Sequence, residues 1–133
     1  MSFLDRFSPQ LLSVLRIVSA LLFMAHGTGK FFHFPPVAEF PHGPAPMTLG
    51  WFAGLIELVG GALLALGLFT RVVAFIMSGE MAVAYWMVHA PQAAYPIQNH
   101  GELAIMFCFV FVYIAAAGGG AWSVDRALFK KPA

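Results

Sequence analysis

Apolar residues fall along this chain in four long runs, separated by shorter stretches rich in proline, glycine and polar residues. The first run extends from Leu11 to Phe32 and follows Ser8-Pro9, a pair suited to a helix N-cap and first turn. From His33 to Pro46 the pattern breaks: five of the nine prolines fall here and no apolar period survives. A loop this long is unusual as a mere connection, and such loops often carry function. The second run covers about 48–68, after which Gly67-Leu68-Phe69-Thr70-Arg71 reads as a tight turn with Thr70 as the next N-cap. The third run, about 71–90, stops at Pro91; a short loop over 91–98 leads to Asn99 and the last run, which closes on Gly118-Gly119-Gly120. A helix needs about 20 apolar residues to cross a bilayer. The pattern therefore predicts spans over about 9–32, 48–68, 71–90 and 99–118, an all-α polytopic membrane four-helix bundle in one domain, 1–133. The polar-interrupted tail, 121–133, carries Trp122 as an interfacial anchor. A cleavable signal peptide is the rival reading of the first run, but Arg16 interrupts it and His26-Gly27-Thr28-Gly29-Lys30 is a poor cleavage site.

Composition sharpens this reading. The chain is 60% hydrophobic and only 10% charged, against about 25% charged in an average soluble domain. Too little polar material exists to clothe a water-facing globule, and 14 Phe exclude a disordered chain. The net charge of +1, with basic residues scattered, excludes a nucleic-acid footprint. A single cysteine, Cys108, excludes an internal disulfide or CxxC pair and reads as a buried inert thiol. Lysines and arginines then give orientation: Arg6, Arg71, Arg126, Lys130 and Lys131 collect on one side and Lys30 alone on the other. The positive-inside rule places both termini in the cytoplasm and the proline-rich and 91–98 loops outside.

The remaining polar residues are costly ones. All five histidines, His26, His33, His42, His89 and His100, fall toward the outward end of this topology. They read either as interfacial residues or as a site, since histidine titrates near neutrality and ligates metals and haem. No HxH or HxxxH spacing occurs on a span, so a metal would draw its ligands from different helices. Arg16, Glu57 and Glu80 lie inside spans, where ionisable groups usually face the bundle interior and pair. At the helical rise they sit roughly 10, 18 and 14 Å from the cytoplasmic ends of their spans, which permits one buried charge cluster. Two carboxylates against one guanidinium leave a surplus negative charge; Lys30 or a histidine balances it, or one glutamate stays protonated. The cluster is either a geometry-fixing salt bridge or a binding and proton-handling site.

Glu57 lies on a stripe of small residues, Gly50, Gly54, Gly61 and Ala65, of the kind that lets membrane helices approach closely. On the first span Arg16, Phe23 and Lys30 share a face, with His26 about 40° from Lys30. His89 falls on the face opposite Glu80, and the two meet only if the helix end unwinds. Asn99 and Glu102 form an approximate capping box, a structural account of Glu102 that stands beside a ligand-binding one. The Met and Phe residues of the later spans, Met77, Met81, Met87, Phe107, Phe109 and Phe111, read as lipid-facing or core packing.

Taken in order, Arg16, His26-Gly27-Thr28-Gly29-Lys30, Glu57-Leu58-Val59-Gly60-Gly61, Gly67-Leu68-Phe69-Thr70-Arg71, Glu80-Met81, Gly101-Glu102 and the segment from Gly118 to Arg126 resemble the DoxX family over nearly the whole chain. The usual Gly-Pro-Gly before the Ser-x-Asp element reads Gly-Gly-Gly here. The resemblance implies a four-helix bacterial inner-membrane protein associated with quinone-linked respiration, including thiosulfate:quinone oxidoreductase subunits, or with resistance to quinones and oxidative stress. It carries no agreed catalytic residues.

The leading expectation is a membrane redox-accessory protein that binds a quinone-like ligand between its helices. His26, Lys30 and Glu102 would hydrogen-bond ligand oxygens, Glu57 would relay protons, and Phe23, Trp51 and Trp86 would form apolar walls. A second reading is a structural subunit that anchors a soluble redox enzyme or joins a respiratory complex. A third assigns haem or a metal to His26, His89 and His100. No flavin or NAD motif is present, so electrons would come from a partner or a bound cofactor. Lipid is the surrounding partner, and an oligomer is compatible with the chain. A small-substrate transporter fits less well, because no pair of broken helices is evident.

Overall fold

The computed structural model describes residues 3–39 and 41–129. Lys130 and Lys131, two of the cations that set the expected orientation, lie outside the described residues. No strand occurs among the described residues. A 3-10 turn over Asp5–Phe7 runs into helix α1, Ser8–Phe32, with Pro9 in its first turn and His33 closing it in the left-handed region at φ 53°. Helix α2 is continuous over Leu49–Leu66, and α3 over Thr70–His89. A four-residue turn of helix, α4, spans Pro96–Asn99; α5 spans Glu102–Ala117 and a short α6 spans Val124–Leu128. Three of these helices, the first carried back to Asp5, are long and apolar enough to cross a membrane. The fourth apolar helix, α5, has 16 residues, about 24 Å at the helical rise, against a hydrocarbon core of about 30 Å.

The helices run up and down and pack in sequence order, α1 on α2, α2 on α3, α3 on α5 and α5 back on α1. Their shared core is built from residues three and four apart on each inner face: Ala20 and Phe23 of α1, Leu64 of α2, Ala74 and Met77 of α3, Phe107, Phe111 and Ile114 of α5. Phe23 meets Phe107 and Phe111 edge-on at centroid distances of 5.4 and 5.0 Å, while those two rings stack at 5.3 Å. Met77, Met81, Phe107 and Phe111 are thus core, whereas Met87 and Phe109 point outward. Most of each long helix presents apolar side chains to the exterior, the arrangement a hydrocarbon solvent requires.

Small residues set the α1–α2 spacing. A Cβ on Gly27 would lie 2.7 Å from the Leu58 backbone nitrogen, and one on Gly61 would lie 2.7 Å from Met24 Cβ. Backbone cannot yield as a side chain can. Gly27→Ala is therefore expected to force the two helices apart and to destabilise the protein by about 1–3 kcal/mol, read as a lowered midpoint of thermal unfolding in detergent. An unchanged midpoint would mean that α1 and α2 do not touch there.

Two capping expectations are corrected. Thr70 is not an N-cap: Phe69 precedes α3 in a left-handed conformation, and the Asp125 carboxylate from the tail accepts the Phe69 and Thr70 N–H groups, each at 2.8 Å. Asn99 does not cap α5, whose N-cap is Gly101. Instead Asn99 is fully buried; its Oδ1 accepts the Gly101 N–H at 2.8 Å while Nδ2 donates to Ala93 O and Tyr85 Oη. The loop between α3 and α5 is tied down from inside, because a buried amide must find partners for both its donors and its acceptor.

Burial pushes the Asp125 carboxyl up, but hydrogen bonds from Thr70 and Phe69 and the charge of Arg16 outweigh this and hold it below the usual carboxylate range. A depressed carboxyl stabilises the fold above its unfolded pKa and loses that stabilisation as pH falls through its folded value. Asp125→Ala should cost about 1 kcal/mol at pH 7. In thermal unfolding the difference from the parent protein should shrink as the buffer is taken below the ordinary carboxylate range. A difference that stayed constant down to strong acid would show that Asp125 does not cap α3 as an anion.

Candidate functional site

The polar interior has two centres at opposite ends of the helices. At one end Glu57 is carried on a π-helical turn, Ile56–Gly60, inside α2. Such turns are rare and frequently occur at functional sites. Lys30, in the last turn of α1, donates to both carboxylate oxygens of Glu57, at 2.7 and 2.8 Å. Both side chains are nearly withdrawn from the surface, at 11% and 6% exposure. Gly54, one turn before Glu57, makes room for the lysine stem: a Cβ there would lie 3.3 Å from Lys30 Cδ. Glu80 of α3 lies within electrostatic reach of Glu57 and Lys30. Both of its carboxyl oxygens are buried without a hydrogen-bond partner among the described residues. His26 stands one turn before Lys30, edge-on to Phe107 at 6.4 Å, and Trp51 meets Phe31 edge-on at 6.4 Å.

Arg16 belongs to the other centre. It is fully buried, and its guanidinium donates to four backbone carbonyls: Nε to Gly119 at 2.9 Å, Nη1 to Leu64 and Ala65 at 2.6 Å each, and Nη2 to Trp122 at 2.5 Å. Ser13 supports it, donating to Pro9 and Gly119 and accepting the Trp122 N–H. The expected cluster of Arg16, Glu57 and Glu80 is thus divided. In antiparallel packing Arg16 falls opposite the last turn of α2, whose end carbonyls accept it: Ala65 O, and Leu64 O, which also receives the Gly67 N–H. Glu57 falls opposite the far end of α1 and takes Lys30.

Phe23, His26, Lys30, Glu57 and Glu80 therefore share the interior, with Trp51 at its edge. Glu102 is exposed at the start of α5, and Trp86 is 71% exposed on the outer side of α3. No group of three or more His, Cys, Asp or Glu side chains converges as a metal site among the described residues. His89 is held by Asn99 O at 3.0 Å within a second π-helical turn, Tyr85–His89, and His100 is an exposed left-handed residue. Sequence reasoning missed three things: the π turn under Glu57, the buried Asn99, and the capping roles of the end charges. Arg71, like Arg16, serves a helix terminus, donating to the Ala115 and Ala116 carbonyls that end α5. Only the Lys30–Glu57 pair had a signal, the surplus negative charge that a cation had to balance. Two surface grooves, one along Leu66 and residues 121–127 and one beside Phe69 and Arg71, lie at the Arg71 end, away from the ion pair.

Apolar helices enclosing a paired charge, and a carboxyl with no hydrogen-bond partner among the described residues, define an α-helical membrane protein with a polar interior site. The DoxX family model matches residues 11–90, and the chain belongs to the DoxX family. An uncharacterized protein of Haemophilus influenzae is 43% identical over 134 residues, covering 98% of this chain and 100% of the relative. A more distant relative, named "Putative oxidoreductase CatD" in Bacillus subtilis, is 25% identical over 118 residues, covering 88% of this chain and 86% of its own length. No solved structure matches the chain.

Proposed function

We propose that this protein is a redox-associated membrane protein that holds a quinone-like ligand beside the Lys30–Glu57 pair. One observation carries the reading: Glu80 keeps two buried oxygens without a hydrogen-bond partner among the described residues, next to the Lys30–Glu57 ion pair. Leaving a buried polar group unmade costs roughly 1–3 kcal/mol, and an orphaned buried group asks for a partner that a ligand supplies. A quinone needs polar groups at its ring oxygens and apolar walls around the ring. His26 and Glu80 furnish the first, with no hydrogen bond to either ring nitrogen of His26 among the described residues; Phe23 and Phe107 furnish the second. When bound, a quinone supplies two-electron, two-proton redox chemistry, for which the chain has no motif of its own. Lys30 and Glu57 fix the local charge, and Glu80 accepts or holds a proton at the ligand. The family and the name of the Bacillus relative support a redox association.

In the same reading all four apolar helices cross a bacterial inner membrane with both termini inside. Reporter fusions at the C-terminus and in the 33–46 loop test this. A cytoplasm-active reporter should work only at the C-terminus and an export-dependent enzyme only in the loop. The opposite pattern would reverse the orientation. For the ligand, the full chain in nanodiscs should bind a short-chain quinone saturably, read by quenching of Trp51 fluorescence with Trp86 and Trp122 replaced by Phe. Glu80→Ala should weaken binding about tenfold or more, the value of one charge-assisted hydrogen bond, and Glu102→Gln should leave it unchanged. Quenching that rises linearly, as lipid partition does, or that ignores Glu80→Ala, would remove the proposal and favour an anchoring subunit.

A further inference from the structure

At the Arg71 end, a surface groove of about 490 Å³ opens between the start of α3, the glycine loop after α5 and α6. Its walls carry the exposed rings of Phe69 and Phe129, tilted against each other at 6.5 Å, together with Arg71 and Arg126. Arg71 is anchored through Nη1 to the α5 carbonyls. That anchoring leaves Nε and Nη2, the two-pronged edge of the guanidinium, without a partner among the described residues. Gly118 lies against this edge: at φ 91° it favours glycine, and a Cβ there would crowd Nη2 at 3.3 Å. The Arg126 side chain is exposed and has no hydrogen-bond or ion-pair partner among the described residues. The carboxylate in the groove, Asp125, is already engaged by the N–H groups that open α3. Two cations with open donors thus face one committed anion.

We infer that this groove is a binding site for the phosphodiester headgroup of an anionic membrane phospholipid. An arginine edge held in place donates two parallel hydrogen bonds to phosphate oxygens. The helices ending here put the groove at the level of the lipid headgroups, where tryptophan side chains such as the exposed Trp122 collect. Basic pockets at helix ends hold anionic headgroups in this way. Phe69 and Phe129 give the glycerol and upper acyl chain an apolar flank that a free phosphate ion does not use.

Native mass spectrometry of the delipidated full chain, titrated with phosphatidylglycerol or phosphatidylcholine, tests this. Phosphatidylglycerol should bind at least about fivefold more tightly, the order expected for one arginine at a charged surface. Arg126→Ala, which removes no hydrogen bond or ion pair with the described residues, should abolish that preference while leaving the unfolding midpoint in detergent unchanged. Inorganic phosphate should not displace the lipid. Equal binding of the two lipids, a preference that survives Arg126→Ala, or displacement of the lipid by inorganic phosphate would each overturn the assignment.

Discussion

Replacing Arg16 by Ala should destabilise the protein by about 3–5 kcal/mol, the order of two or more hydrogen bonds from a charged donor. The loss is large because one planar guanidinium serves carbonyls from the end of α2 and from the glycine loop at once. Without it, the Ala65 and Trp122 carbonyls lose this donor where water is scarce, while Leu64 O keeps the Gly67 N–H and Gly119 O the Ser13 hydroxyl. Arg16→Lys keeps the charge but not the fork, and a single ammonium cannot reach Gly119, Leu64, Ala65 and Trp122 together. It should therefore recover little of the loss. Unfolding in detergent with increasing SDS would measure both variants. A lysine variant as stable as the parent would show that charge alone, not the four-way bonding, holds this end together.

The second large effect lies at the other end. Lys30→Met should leave the Glu57 carboxyl buried without its cation, at a cost of about 3–5 kcal/mol. Adding Glu57→Leu should restore most of that stability, since apolar residues of similar size often replace a buried ion pair without loss. The double variant should nevertheless fail to bind a quinone, because the charge that fixes the site is gone. Stability and ligand binding would then separate, which a purely architectural ion pair does not predict. The coupling energy from the four-protein cycle measures the pair directly.

Much of this fold was legible in the sequence because each apolar run had to be a helix, and glycine and proline marked the ends. Gly67 illustrates it: its left-handed backbone closes α2 through Gly67 N–H to Leu64 O and Leu68 N–H to Leu63 O, a glycine-terminated helix end. The packing stripe was legible too, because Gly54 and Gly61 do face α1. What could not be read was register between helices. Placing Arg16 near Glu57 rested on depth from each span's own end, and a shift of about two turns along α2 separates them. Asp125 and Asn99 were misread or missed for a related reason. Each caps or tethers a segment distant in sequence or across a loop, and local spacing carries no trace of that.

The site reduces to whether Glu80 has a partner that the chain itself does not provide. An experimental map of the full chain in nanodiscs, prepared with a short-chain quinone, answers this most directly. The proposal predicts density for the quinone ring within hydrogen-bond distance of Glu80, beside Phe23 and the intact Lys30–Glu57 pair. A map with no such density, in which another side chain or an ordered water satisfies both Glu80 oxygens, would contradict it.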